Sequence, residues 1–300
     1  MINTPTLIVI LGPTGVGKTE ISLQIAEYFD APIVSSDSRQ FYKELKIGTA
    51  APTTEQLERV KHFFIGSHSI FDEYNAGQYE QDVIQLLNNI FECKNVVLLV
   101  GGSMMYIDAI CNGMDNIPNV DNETRKYWQN QFSEFGLEYI QEELKKLDPK
   151  HYAQVDLQNP KRIMHALEIC SMTGQPYSNF RTGERKSRNF NIVKVGLNRP
   201  RPELYERINL RVDEMMKLGL LEEAQQFFEF RALNTLNTVG YKEIYEYICG
   251  NWSLDFAINM IKQDSRRYAK RQLTWFNRDT EINWFHPNEE ITIWNFVKNL

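Results

Sequence analysis

Thr6-Leu7-Ile8-Val9-Ile10-Leu11 runs directly into Gly12-Pro13-Thr14-Gly15-Val16-Gly17-Lys18-Thr19, and Ile21, Ile25 and Phe29 follow at helical spacing. An aliphatic run, a glycine turn and an apolar stripe of helical period spell strand, loop and helix. The turn fits G-x-x-x-x-G-K-[ST], in the strand-to-helix context the motif requires. Glycines let backbone N–H groups close around phosphate oxygens, and the helix N-terminus adds partial positive charge. Lys18 supplies a full charge, and the Thr19 hydroxyl suits Mg2+. Gly12 to Thr19 are therefore the expected binding residues for a pyrophosphate or polyphosphate, with Thr19 as the Mg2+ ligand. Such a loop reads phosphate and not the group attached to it, so ATP, GTP and other pyrophosphate esters stay open at this point.

A second apolar run, Pro32 to Ser36, ends in Asp37, and a third, Asn95 to Val100, ends in the turn Gly101-Gly102-Ser103. Strands alternating with helices imply an α/β protein with a P-loop core, a doubly wound parallel sheet. Ligands of such sheets bind beyond the carboxyl ends of the strands, so the glycine loop, Asp37 and Ser103 should converge on one rim. From Gly113 to Asn191 polar helical stretches dominate, broken at Ile117-Pro118, Asp148-Pro149, Asn159-Pro160 and Thr173-Gly174, which predicts an inserted helical subdomain. Ile192 to Leu197 reads as a strand returning to the sheet. Pro202 to Leu218 reads as a helix burying Leu204, Ile208, Val212 and Met215. The chain thus divides into a first part of the core (1–112), an inserted helical subdomain (113–191) and a completion of the core with C-terminal helices (192–300). The last ten residues are too few to characterise.

A chain of 300 residues has ample core to fold without metal or disulfide staples. Cys93, Cys111, Cys170 and Cys249 are widely spread without metal-ligand spacing, so buried reduced thiols and a cytoplasmic address are expected. The N-terminal apolar stretch is too short to span a membrane and lacks a basic leader, so no membrane association is expected. The formal net charge of −6 argues against a general nucleic-acid coat protein. Charge is uneven, however. Lys262, Arg266, Arg267, Lys270, Arg271 and Arg278 face only Asp264, a segment fit to grip phosphates, with a solvated helix face as the plain alternative.

Further blocks follow in series: Ser36-Asp37-Ser38-Arg39-Gln40-Phe41-Tyr42 with Ile47-Gly48-Thr49-Ala50; Leu99-Val100-Gly101-Gly102-Ser103 with Tyr106; Arg162-Ile163 with Ala166-Leu167-Glu168; Leu204-Tyr205-Glu206-Arg207-Ile208 with Arg211-Val212; Val239-Gly240-Tyr241-Lys242-Glu243; and Tyr268-Ala269-Lys270-Arg271-Gln272-Leu273-Thr274-Trp275-Phe276. In this order they resemble the transfer RNA dimethylallyltransferases (tRNA isopentenyltransferases, the IPP transferase family), over roughly Leu7 to Phe285. The sequence departs from the family pattern at Ser103 and Ser265, where threonine is commoner, at Asn159, where an acid is commoner, and around His62 to Ser67. Serine keeps the hydroxyl; the other two departures touch RNA contact and substrate range.

The resemblance implies Mg2+-assisted transfer of a dimethylallyl group from dimethylallyl pyrophosphate to the N6 amine of the adenine 3′-adjacent to the anticodon. The products would be N6-isopentenyladenosine and pyrophosphate. It further implies catalytic roles for Asp37, Ser103, Arg125 and Arg211. An adenine amine is a poor nucleophile, so a carboxylate accepting its hydrogen bond helps; Asp37 is the candidate, with a magnesium-holding acid as the alternative. Charge developing on the departing pyrophosphate calls for preformed donors, supplied by Lys18, Thr19 and the loop amides with Ser103, Arg125 and Arg211 around them. Arg207, four residues from Arg211 on one helix face, reads as a surface ion-pair member.

The target base must leave its stack, which requires an extended grip on the tRNA anticodon stem-loop. By resemblance the tRNA contacts are Asp37, Ser38, Arg39 and Gln40; Lys161, Arg162, Ile163, Met164 and His165; and Asn237, Thr238, Val239, Gly240, Tyr241 and Lys242. One basic helix face bearing Arg267, Lys270 and Arg271 joins them. His165 is expected to be structural rather than catalytic, and most of Trp275, Phe276, Trp284 and Phe285 to pack in the core. A monomer is expected. The rival functions are a P-loop nucleotide kinase, a dimethylallyltransferase acting on free adenine nucleotides, and a P-loop protein that only binds RNA.

Overall fold

The computed structural model describes Ile2 and Thr4–Leu300. The chain forms two compact units, Met1–Cys111 with Ser187–Leu300, and Asn112–Lys186. In the first unit the aliphatic run is strand β1 (Thr6–Leu11), followed by α1 (Lys18–Tyr28), β2 (Ile33–Ser35), α2 (Thr54–Arg59), β3 (His62–Phe63), α3 (Ala76–Phe91), β4 (Val96–Gly101) and α4 (Met104–Cys111). β1 lies between β4 and the later strand β5 (Asn191–Leu197), with Leu7 paired to Val97 on one side and Ile192 on the other. A last strand, β6 (Ile282–Phe285), completes a parallel sheet of order β3-β2-β4-β1-β5-β6. The α/β, doubly wound expectation is met.

Alternation along β1 divides the core. Leu7, Val9 and Leu11 pack with Tyr79, Val83 and Leu87 of α3 and Ile107 and Ile110 of α4, while Ile8 and Ile10 pack with Ile21, Leu23 and Ile25 of α1. Side chains on successive strand residues point to opposite faces, so one strand nucleates two apolar layers, each fully buried aliphatic residue contributing about 1.5–3 kcal/mol. The two edge strands, β3 and β6, were not foreseen; they are short and only partly apolar.

The inserted unit holds the helical segment α5 (Asn122–Leu147), bent at Gly136 where φ is 78°, then α6 (Pro149–Tyr152) and α7 (Pro160–Thr173). Three of the four turn signals mark helix ends, whereas Ile117-Pro118 lies in coil ahead of α5. Asp148 and Asn159 accept hydrogen bonds from His151 N and Arg162 N, proline follows each at the first helical position, and Gly174 closes α7 in the left-handed region. Trp128, Ile140, Leu144, Ile163 and Leu167 form this unit's own core. The unit ends at Lys186, five residues before the expected position. Arg188 already belongs to the sheet-bearing unit, bonding Glu80 (2.8 Å) and the carbonyls of Ala109 and Ile110 that end α4.

Beyond β5 come α8 (Arg201–Lys217), α9 (Leu220–Gln226), α10 (Tyr241–Ile248), α11 (Leu254–Phe276) and α12 (Glu290–Lys298). Leu204, Ile208 and Val212 of α8 are buried as expected, whereas Met215 is only half-buried. The C-terminal residues form a helix whose Ile293 and Val297 join the α1 layer. Of the four thiols, Cys111 and Cys170 are buried, but Cys93 and Cys249 are exposed, which corrects the expectation that all would be interior. No helix among the described residues is long and apolar enough to cross a membrane.

Candidate active site

The glycine loop leaves β1 where φ at Gly12 is 148°, and a Cβ there would collide with the carbonyl of Leu197 at the end of β5. Only glycine lets the loop pass that strand end. Gly17 caps α1 in the left-handed region without a side-chain hydrogen bond, so the first amides of α1 stay available to an anion. Three distant side chains hold the loop's shape. Gln272 Oε1 accepts from Thr14 N (2.9 Å), Arg207 Nε donates to Gly15 O (2.9 Å) and Arg199 Nε donates to Val16 O (2.8 Å). Lys18 Nζ folds back onto Gly12 O and Pro13 O (2.9 and 3.0 Å). Burial pulls the Lys18 pKa down to about 8, the Asp37 charge opposing the fall and Arg211 adding to it. Arg211 Nη1 reaches Thr14 Oγ1 at 3.4 Å; its own pKa is lowered by burial, with Asp37 again opposing.

Across from the loop, β2 ends in a turn held by β4. Ser36 N donates to Val100 O, Asp37 Oδ1 accepts from Arg39 N (3.0 Å), and Ser103 Oγ accepts from Ser38 N (2.8 Å) while donating to Ser38 Oγ (3.1 Å). Tyr268 of α11 has its pKa pushed up to about 12 by burial and by the Asp37 charge, with Ser103 opposing the rise. Farther along, Glu223 of α9 accepts from the successive amides of Lys46, Ile47 and Gly48 (2.8–2.9 Å) and from Tyr241 Oη (2.6 Å). That nest shapes the turn whose Thr49 and Ala50 carbonyls accept from Gln40 Nε2.

These elements enclose a cavity of about 1150 Å³. Thr14, Lys18, Thr19, Asp37, Arg211 and Arg271 give it a polar end, while Ile208, Val212, Met215, Val239 and Ile261 give it apolar wall. The volume suits a small pyrophosphate ester together with an extruded base. Thr19 Oγ1 is exposed to it and makes no hydrogen bond among the described residues. Asp37 lines the same cavity, and both residues offer hard oxygen atoms of the type a divalent cation takes. No group of three or more metal-ligating His, Cys, Asp or Glu side chains occurs among the described residues, so such an ion would take its other ligands from phosphate and water.

The expected residues do not all meet there. Ser103 is buried behind the Asp37 turn and does not line the cavity. Ser38, Arg39, Gln40, Asn237, Thr238, Val239, Gly240 and Lys242 line it, Lys242 being paired with Asp264 at 2.8 Å. The side chains of Tyr241 and Ile163 are fully buried, each within its own core, and Tyr241 is also held by Glu223, so what these two positions offer to solvent is backbone. Lys161 and Arg162 are exposed on α7, with Met164 half-buried and His165 facing Glu168 at 3.5 Å; Arg125 lies on α5. All of these belong to the inserted unit.

The basic face of α11 divides. Arg271 lines the central cavity, Arg267 pairs with Asp264, and Lys270 turns to a second cavity of about 560 Å³ with Tyr205, Trp284 and His286. Lys270 and Arg271 are adjacent, and neighbours on a helix point about 100° apart, so each reaches a different cavity and one basic face was too simple an expectation. Arg207 corrects another: it grips the loop carbonyl of Gly15 instead of a surface acid. Tyr268 and Gln272 are site residues that the sequence reading misses, although Ile261, Ser265, Tyr268 and Gln272 recur at helical spacing along the cavity. Nothing near Glu223 or Arg199 in sequence signals their parts.

A family model described as IPP transferase matches residues 40–279. The chain is 59% identical to tRNA dimethylallyltransferase 1 of Bacteroides fragilis (strain YCH46), over 98% of this chain and 97% of that one. It is 57% identical to tRNA dimethylallyltransferase 2 of Parabacteroides distasonis, over 97% and 98%. Among solved structures, the full-length tRNA isopentenylpyrophosphate transferase of Bacillus halodurans superposes with a TM-score of 0.72 at 32% identity, covering 99% of this chain and 96% of that one. A eukaryotic dimethylallyltransferase acting on tRNA shares the fold, with a TM-score of 0.80 at 24% identity over 94% of this chain and 74% of that one.

Proposed function

The chain belongs to the IPP transferase family, and we infer that it transfers a dimethylallyl group from dimethylallyl pyrophosphate to the N6 amine of an adenine in tRNA. The adenine is the one 3′-adjacent to the anticodon, and the products are N6-isopentenyladenosine and pyrophosphate. A nucleotide kinase is not favoured by these relatives. The observation that carries the assignment of the site is the meeting of Asp37 with Lys18 and Arg211 at the polar end of the cavity.

In this proposal the Asp37 carboxylate accepts a hydrogen bond from the adenine amine and takes its proton as the new C–N bond forms. Its other duty, accepting from Arg39 N, fixes its rotamer. The unspent loop amides, Lys18 and Arg211 hold the pyrophosphate and stabilise the charge it gains on leaving. Mg2+, held by Thr19, would add positive charge beside the same oxygens. Ser103 acts at one remove: its hydroxyl holds Ser38 N and so the turn that presents Asp37. Arg125, carried by the inserted unit, is assigned to the pyrophosphate on the family resemblance. The apolar wall excludes water from the allyl group, which would otherwise be hydrolysed.

For tRNA we assign Ser38 to Gln40, Asn237 to Gly240 and Lys242, which line the cavity, with Arg271, and on the inserted unit Lys161 to His165, the buried Ile163 and Tyr241 offering backbone only. Phosphate contacts from such cations position the strand without reading its sequence. A monomer acting in the cytoplasm completes the proposal; four cysteines outside any disulfide suit a reducing compartment.

Incubation with dimethylallyl pyrophosphate labelled in the allyl group, and with unmodified tRNA, AMP or ATP as acceptor, tests the reaction directly. Label entering tRNA is the expected result. Label in AMP or ATP alone would establish the free-nucleotide rival, and label in no acceptor would overturn the assignment.

A further inference from the structure

The donors of the glycine loop are not equally available. Thr14 N is taken by Gln272 Oε1 (2.9 Å), Thr14 Oγ1 is reached by Arg211 (3.4 Å), and Val16 N donates to Pro13 O (3.3 Å). Among the described residues the amides of Gly15, Gly17, Lys18 and Thr19 donate to no protein acceptor. Free donors therefore gather at the helix end of the loop, and the strand end is closed from within the protein.

Gln272 is built to stay. Its side chain is 2% exposed, and its carboxamide is used at both ends, Nε2 donating to Gly102 O at 2.8 Å. A donor on one side and an acceptor on the other allow only one orientation of the amide. Gly102 has no space for a Cβ beside that nitrogen, so the side chain sits in a fitted slot between the loops after β1 and β4. Its oxygen presents a partial negative charge at the place where a phosphate chain extending past Gly15 toward the strand would need a donor.

We propose that Gln272 determines how many phosphates the loop accepts, admitting a diphosphate ester and turning away triphosphates. This rests on the assignment of dimethylallyl pyrophosphate as donor. It gives a physical reason why a loop of the ATPase type would serve a diphosphate donor in a cell rich in ATP. The free amides, Lys18 and Arg211 satisfy two phosphates, and a third meets a carboxamide oxygen instead of the Thr14 amide.

The test is calorimetric titration of the full chain with Mg2+-pyrophosphate and Mg2+-tripolyphosphate, for the wild type, Gln272→Met and Gln272→Ala. Methionine keeps the volume without an acceptor. The expected wild type binds pyrophosphate more tightly, and both variants shift the ratio toward tripolyphosphate by about tenfold, the scale of one hydrogen bond to a charged group. An unchanged ratio, or equal weakening of both ligands, would show Gln272 to be a structural clamp only and overturn the proposal. Should the variants fail to fold, the wild type decides alone: tripolyphosphate bound as tightly as pyrophosphate refutes it. Since neither ligand carries an allyl group, failure here is separable from failure of label transfer to tRNA.

Discussion

Replacing Lys18 by methionine should make the free protein more stable while abolishing its pyrophosphate binding. The Lys18 pKa falls from 10.5 to about 8 on folding, and burial is the main cause. At roughly 1.4 kcal/mol per pH unit, holding this charge at neutral pH costs about 3 kcal/mol. The ammonium is enclosed by loop carbonyls, but the residue as a whole is part-exposed at the cavity edge, so about 2 kcal/mol is the measurable scale. Methionine keeps the length of the side chain and removes the charge, at the expense of two hydrogen bonds to Gly12 O and Pro13 O. A net gain of about 1 kcal/mol at pH 7 is expected in urea unfolding. The sign of the pH dependence follows from the direction of the shift. Between about pH 8 and 10.5 the unfolded chain keeps a proton on Lys18 that the folded chain has lost. Stability of the wild type therefore rises with pH across that window relative to Lys18→Met, and the gap between them closes toward pH 10. Saturating pyrophosphate should stabilise only the wild type, by the mass-action term for a ligand of the folded state. A variant less stable than wild type at pH 7, or a gap that does not narrow between pH 8 and 10, would refute the claim that Lys18 is held charged at a cost to stability.

Three other substitutions test the site from different sides. Asp37→Asn keeps an acceptor for Arg39 N but removes the base, so single-turnover transfer should slow by about 10²-fold with tRNA affinity within a few-fold of wild type; an undiminished rate would remove Asp37 from the chemistry. Arg271→Ala should weaken tRNA binding and flatten its dependence on salt by about one phosphate contact, measured by filter binding at several salt concentrations. Lys270→Ala, which alters the second cavity, serves as the comparison, and equal effects from the two would contradict the division of the helix face. Glu223→Ala leaves three amides and the Tyr241 hydroxyl without their acceptor and should cost about 3 kcal/mol in urea unfolding; a loss below about 1 kcal/mol would show that the nest is not needed to hold the turn before Gln40.

Much of the fold is legible in residues 6–29, because strand, turn and helix there are each set by neighbours close in sequence: β-branched and leucine residues for β1, glycines at left-handed φ for the loop, an apolar stripe for α1. The ends of α6 and α7 are equally local, written as Asp148-Pro149, Asn159-Pro160 and Thr173-Gly174. The edge strands β3 and β6 carry too few apolar residues to announce themselves and exist because neighbouring strands offer a ladder to pair with. The site divides in the same way. The phosphate cradle is readable as a motif, since a single loop makes it. The oxygen that blocks Thr14 N comes from Gln272, 258 positions away, and the carboxylate under Lys46 to Gly48 from Glu223, 177 positions from Lys46. Nor could helical spacing alone say that α11 runs between two cavities, sending Lys270 and Arg271 to different ones. Local conformational preference and motif chemistry thus determined the class, the loop and the kind of ligand, whereas only packing across the sheet decided which of the loop's donors remain free to hold it.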